Sequence, residues 1–455
     1  MKAQKFTLYT LILVFLFLCL PVSAFAAAPP ELSAEAYILI DMETGQVLAE
    51  KNADARRSPA STTKIMTALV ALENASLEDE MTASADAINS VPYDYVRAGI
   101  KIGETMKFST LLDLMLITSA NEASNIIAEN ISPDGTMQGF TDLMNQKAAD
   151  LGLKSESTHF TNSSGLEEET HYTTARDLAI ISRAAMQNDI FREVVKRTEF
   201  TMPDTNLRKS SEWQVGHLAF TNKLLISRST HYSEVTGIKT GYTDLAGLCL
   251  VSSAVNPDGL ELISVVLGAQ SEKYQFGDSQ ALLEHGFKNF RKQQLVQKGE
   301  YVAREEVEDA VDGKKVEIET NGELSYILPE DQEERENDLT DEITYFESPF
   351  KAPIEAGQVL GKKEYFYKGK SIGSVELVAK DSIEKTTIAI LRDKYRQIIS
   401  DKRFIFGVKA AAGAILVILI LIFILRLVNR RRKRRYGSYY PYKSKRRKYR
   451  SKRFR

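Results

Sequence analysis

A chain of 455 residues with 43% hydrophobic and 26% charged content has room for two or three folded domains with real cores. The net charge of −2 conceals an asymmetry. Sixteen Lys/Arg and no Asp/Glu lie from Arg426 onward, leaving 43 Lys/Arg against 61 Asp/Glu, a net of −18, over residues 1–425. That acidity excludes nucleic acid as a partner of the main body, and the cysteine count excludes an internal disulfide, since Cys19 lies in a segment expected to be removed and only Cys249 remains.

In chain order, residues 1–28 read as a secretory signal peptide. Lys2 and Lys5 give the basic start, 8–20 the apolar stretch, and Ala24-Phe25-Ala26 the cleavage pattern. Residues 35–41 alternate and are β-rich, Thr44-Gly45 makes a turn, and 46–50 returns as a hairpin. A helix is predicted over 61–73 behind Pro59, with further helices over 110–118, 122–129, 140–151 and 174–187. Strands follow over 233–239, 247–254 and 262–268, the first two joined by a turn through 241–244, and an amphipathic helix closes at 278–290. Strands from both ends of this region imply one sheet with helices packed on it, an α+β domain over 29–290.

Past 290 the character changes. Short β-like runs at 316–320, 325–328, 343–346, 364–367 and 374–379 alternate with acidic loops, which predicts a small β domain over 291–380. A polar helical linker at 381–404 leads to an apolar run. Residues 410–425 are uncharged but make only about 24 Å of helix, so a transmembrane helix is expected over 405–428, with Lys409 and Arg426 reaching the two interfaces. The basic segment 429–455 follows, and positive charge marks the cytoplasmic side. The expected topology is a body outside the cell, one span, and a tail that meets anionic lipid headgroups.

Three motifs carry candidate chemistry. The first is Ser61-Thr62-Thr63-Lys64. Positions i and i+3 share a helix face, and a Ser hydroxyl becomes a nucleophile only when a nearby base takes its proton. A lysine serves if burial or another cation lowers its pKa. The same S-x-x-K pattern recurs at Ser348/Lys351 and Ser382/Lys385, so it is weak alone. The second motif is Ser119-Ala120-Asn121, which alone reads as a helix cap and turn. The third is Lys239-Thr240-Gly241 at a strand end, where Lys and a Thr hydroxyl suit a carboxylate and Gly permits close approach. Their order, with 58 and 120 residues between first members, matches the motif set of serine β-lactamases and penicillin-binding proteins. No His pair has metal-ligand spacing and no Gly-x-Ser-x-Gly or phosphate-binding loop is present, so no metal or cofactor is expected.

On these motifs, with Ile40-Asp41, Thr44-Gly45, the 59–68 run, 119–122, 160–166, 171–178 and 235–250, the sequence resembles the D-alanyl-D-alanine carboxypeptidases among the low-molecular-mass penicillin-binding proteins. The resemblance covers roughly 33–290 and continues more weakly over 291–380. It implies a transpeptidase-like antiparallel sheet flanked by helices, and a peptidoglycan stem pentapeptide as substrate. By that resemblance Ser61 attacks the D-Ala-D-Ala carbonyl, Lys64 takes its proton, Ser119 passes a proton to the leaving D-alanine, and Asn121 holds Lys64 or the substrate amide. Backbone N–H groups of Ser61 and Tyr242 hold the oxyanion, Lys239 and Thr240 receive the terminal carboxylate beside Gly241 in the substrate-binding set, Asn222 lies near the site, and His171 is structural. β-Lactams are expected as inhibitors. Where relatives often carry an Arg before Phe-x-Asp, Gln275 precedes Phe276 here. A transpeptidase or endopeptidase, a β-lactamase of the same fold, and a silent wall-binding scaffold are the alternatives. The β-lactamase reading lacks the Glu-x-x-Leu-Asn loop, since no Leu-Asn follows Glu167-Glu168-Glu169.

Overall fold

The computed structural model describes residues 29–213 and 219–436. The signal peptide expected at 1–28 and the tail beyond 436 lie outside the described residues. Contacts divide the chain into two compact units. One takes residues up to 297 with 322–342 and 363–375, and the other takes 298–321, 343–362 and the chain from 376 onward. This interleaving differs from the single cut after 290 that the sequence suggests.

The first unit is built on five antiparallel strands: β1 (Ala36–Asp41), β2 (Val47–Lys51), β3 (Val235–Thr243), β4 (Gly247–Val255) and β5 (Glu261–Ala269), in the order β2-β1-β5-β4-β3. Every residue of β1 is buried, because both faces of the sheet are covered. Alternation then sorts side chains by face. Ile38 and Ile40 join one apolar cluster, and Tyr37 and Leu39 join another. The first cluster takes in the helices α1 (Lys64–Asn74), α2 (Phe108–Ile117), α3 (Asn121–Ile131), α4 (Met137–Asp150) and α5 (Ala175–Met186). The second packs α6 (Glu272–Asn289), through Phe276, Leu282 and Leu283, against the other face. Helices cover both faces of one sheet, as expected.

Strands β6 (Phe290–Val296) and β7 (Leu324–Pro329) pair antiparallel and belong to this unit. Gln46 ties the pair down: its Nε2 donates to the Ile327 carbonyl at 2.7 Å and its Oε1 accepts from Ile327 N–H at 3.2 Å. In the other unit Tyr301–Glu308, Lys315–Asn321 and the end of Lys370–Ala379 pair antiparallel around Val316, Ile318, Leu377 and Ala379. Two helices end the described chain, α7 (Thr387–Ser400) and α8 (Lys402–Tyr436). Among the described residues Lys402–Arg432 is the one helix long and apolar enough to cross a membrane, with a mean hydropathy of 3.0 in its most apolar window.

Candidate active site

The turn that carries Ser61 is not the α-helical start that the spacing suggests. Ala60–Thr63 is a 3-10 turn behind Pro59, and α1 begins only at Lys64. Side chains at i and i+3 eclipse in a 3-10 turn, which sets Lys64 directly over Ser61. Lys64 Nζ lies 2.9 Å from Ser61 Oγ. Its other donations go to Asn121 Oδ1 at 2.7 Å and the Ser164 carbonyl at 2.6 Å. Lys64 is fully buried. Burial first, and Lys239 second, hold its pKa well below the ordinary lysine value, while buried Glu122 opposes them. A lysine whose charged form is disfavoured in this way gives up its proton more readily than a free one, as a base at this position would have to.

Asn121 begins α3, and its amide is held from both ends. Nδ2 donates to the Val96 carbonyl at 3.0 Å while Oδ1 faces Lys64. Ser119 is nearly buried and adopts a left-handed backbone (φ 66°). It is not the cap of α3, because Ala120 takes that position and makes no side-chain cap. The turn reading of Ser119 is thus replaced by a strained backbone of the kind concentrated at functional sites.

Strand β3 differs from expectation. It does not end at Lys239 but runs through Thr243, with Gly241 opposite Cys249 and Tyr242 opposite Leu248. Gly241 is there for proximity. A Cβ at this position would sit 3.1 Å from the backbone nitrogens of both Ser61 and Thr62, so glycine lets the strand lie against the Ser61 turn without either backbone giving way. Lys239 is buried, donates to the Thr240 carbonyl at 3.1 Å, and is pushed down to about 7 by burial. Thr240 is buried beside it, whereas Tyr242 is exposed and donates its hydroxyl to Asp244 at 2.8 Å. Asn222 is placed differently from the rest. Its Oδ1 caps the short helix Lys223–Ile226 by accepting from Leu224 N–H at 3.1 Å, and its buried Nδ2 has no partner among the described residues.

Several further contributors come from segments outside the three motifs. The segment 162–166 wraps the turn. Asn162 Oδ1 collects the N–H groups of Ser164, Gly165 and Leu166, which aims the Ser164 carbonyl at Lys64. Thr67 Oγ1 donates to the Ser163 carbonyl at 2.6 Å. His171 Nδ1 accepts from Thr161 N–H, so Nε2 carries the proton and donates to Thr63 Oγ1 at 2.9 Å. Burial pushes His171 down to about 3, so it stays neutral and braces the turn. Glu167 Oε1 accepts from Leu245 N–H at 2.6 Å and ties this segment to the β3–β4 turn. Gln275 turns into the core and donates to the Cys249 carbonyl. In the other S-x-x-K pairs the lysines serve elsewhere: Lys385 pairs with Asp393 and Lys351 with Glu308, while Ser382 accepts from Ala356 N–H. Among the described residues no group of His, Cys, Asp and Glu could hold a metal ion.

Comparison with known proteins points to one family. The profile described as D-alanyl-D-alanine carboxypeptidase, peptidase S11, matches residues 23–271, and that of the penicillin-binding protein 5 C-terminal domain matches 290–385. The D-alanyl-D-alanine carboxypeptidase DacF of Bacillus subtilis is 32% identical over 392 residues, covering 84% of this chain and 95% of the relative. DacA of Escherichia coli is 33% identical over 364 residues, covering 78% and 84%. The crystal structure of penicillin-binding protein 5 from Haemophilus influenzae superposes with a TM-score of 0.62 at 28% identity, covering 79% of this chain and all of the other. The chain belongs to the D-alanyl-D-alanine carboxypeptidases of peptidase family S11, serine-type hydrolases among the penicillin-binding proteins.

Proposed function

We propose that the chain removes the terminal D-alanine from peptidoglycan stem pentapeptides, with Ser61 as nucleophile and Lys64 as its base. The observation that carries this reading is the buried Lys64 Nζ, 2.9 Å from Ser61 Oγ and depressed in pKa by burial and by Lys239. Lys64 takes the hydroxyl proton as Ser61 Oγ bonds to the carbonyl carbon of the penultimate D-alanine. The oxyanion is held by the backbone N–H groups of Ser61 and Tyr242, each such donor worth about 2.7–4 kcal/mol in comparable enzymes. The C–N bond breaks, the proton held by Lys64 passes through Ser119 to the amine of the departing D-alanine, which leaves Lys64 neutral again, and an ester on Ser61 remains. Water, losing its proton to the recovered base, cleaves that ester. Lys239 as a cation and the Thr240 hydroxyl receive the terminal carboxylate, and the absent side chain of Gly241 lets the substrate strand approach. Asn121 keeps Lys64 in register, and Asn222 supports the site from its helix cap. β-Lactams present the same acyl group in a ring that cannot diffuse away, so they acylate Ser61 and block it.

Helix α8 suits a single membrane span that holds the catalytic unit on the extracytoplasmic side, with the basic tail in the cytoplasm. A fluorescent penicillin should label the wild type covalently and leave Ser61→Ala unlabelled. D-alanine release from a pentapeptide should exceed hydrolysis of a chromogenic β-lactam. An unlabelled wild type, or a labelled Ser61→Ala, sinks the assignment.

A further inference from the structure

The orientation of the Asn121 amide decides whether Lys64 meets an acceptor or a donor. Were Nδ2 turned toward Lys64, two donors would face each other at 2.7 Å. What prevents this is the Val96 carbonyl, which takes both Asn121 Nδ2 at 3.0 Å and the Asn121 backbone N–H at 3.1 Å. Yet Val96 sits on an irregular segment and is half exposed. Such segments open readily unless tied, so something must hold Val96 against α3.

Two ties converge three residues downstream. Glu122, the neighbour of Asn121 on α3, is buried, and its Oε1 accepts from Gly99 N–H at 2.9 Å and Ile100 N–H at 3.4 Å. From the other side Arg208 Nη2 donates to the Gly99 carbonyl at 2.8 Å. The guanidinium is fixed in turn by a two-point pairing with buried Glu104 and by the Trp213 ring, 3.3 Å away. The second carboxylate oxygen of Glu122 is buried without a hydrogen-bond partner among the described residues. A packing role alone does not call for a carboxyl group there, since an apolar side chain would fill the space without a polar oxygen left over.

We propose that Glu122 is a positioning residue for the general base: it pins the Val96–Ile100 loop to the first turn of α3 and so fixes the Asn121 amide toward Lys64. This rests on the assignment of Lys64 as base. The charged groups around Lys64 are Lys239 from β3 and Glu122 itself, with neutral His171 behind the turn. A charge effect of Glu122 on Lys64 must therefore be separated from the clamp.

Two conservative variants do so. Glu122→Gln keeps an oxygen acceptor at the same reach and loses the charge. Glu122→Asp keeps the charge and withdraws the oxygens by one methylene. The measurement is the second-order acylation rate by fluorescent penicillin on the full chain, normalised to the fraction that labels at long times. The clamp predicts that Glu122→Gln acylates close to the wild-type rate, while Glu122→Asp and Glu122→Ala fall by about 10²-fold, the penalty for misplacing a reacting group by about 1 Å. A loss in Glu122→Gln, or wild-type rates in Glu122→Asp, overturns the proposal even where Glu122→Ala fails to fold. Failure of the base assignment would show differently, as a Lys64→Gln variant that acylates at the wild-type rate.

Discussion

Adding one methyl group at Gly165 should disable the nucleophile turn. A Cβ there would lie 1.8 Å from the Ala60 carbonyl oxygen and 2.9 Å from Thr63 Oγ1. A carbon–oxygen contact relaxes only at about 3.3 Å, so the two segments must part by about 1.5 Å. Neither can move freely. Ala60 precedes the nucleophile and already sits at φ 48°, and residue 164 supplies the carbonyl that receives Lys64. A displacement of about 1 Å at a reacting group costs about 10²-fold in rate, or about 2.7 kcal/mol. Gly165 also has φ 85°, so alanine adds about 1–2 kcal/mol of backbone strain. Gly165→Ala should therefore acylate at least about 10²-fold more slowly with fluorescent penicillin and melt at a lower temperature in calorimetry. Gly241→Ala is the graded control. Its Cβ would meet Ser61 N at 3.1 Å, which asks for a few tenths of an ångström and a loss of about tenfold. Wild-type acylation by Gly165→Ala, or an order in which Gly241→Ala is the slower, would refute the reasoning.

Lys239 must be cationic to receive a carboxylate, and its pKa of about 7 means that this charge is lost as pH rises through neutrality. The kcat/KM for a pentapeptide should accordingly fall on the alkaline side of about pH 7. Removing the like charge with Lys239→Gln should raise the Lys64 pKa and move the acid limb of acylation to higher pH, as pH-rate profiles would read. His171 is neutral when folded, at about 3, against an ordinary 6.5. The unfolded chain therefore binds the extra proton between those values, and stability present above pH 6.5 drains as pH falls. The loss is about 2 kcal/mol at pH 5, and urea unfolding of His171→Gln should show a flatter acid profile. Arg208→Ala leaves Glu104 buried and unpaired. It should cost about 3–5 kcal/mol in urea unfolding, and an unchanged midpoint would count against the pairing.

The three motifs stood in plain view along the chain, and so did most of the elements that carry them, because each depends on neighbours within a few residues. Ser61 and Lys64 lie three apart and meet by local geometry alone. The strand periods that sort Ile38 and Ile40 from Tyr37 and Leu39 are equally local. What failed locally failed for long-range reasons. The turn expected at Gly241 is strand instead, and the backbone that its missing side chain admits lies some 180 residues away in the chain. Gln46 meets Ile327, 281 residues away, a pairing that no composition shift announces. Above all, the groups that orient Lys64 include two backbone carbonyls: Ser164 directly, and Val96 through Asn121. A carbonyl has no residue type, so only the folded backbone decides which one points at the lysine.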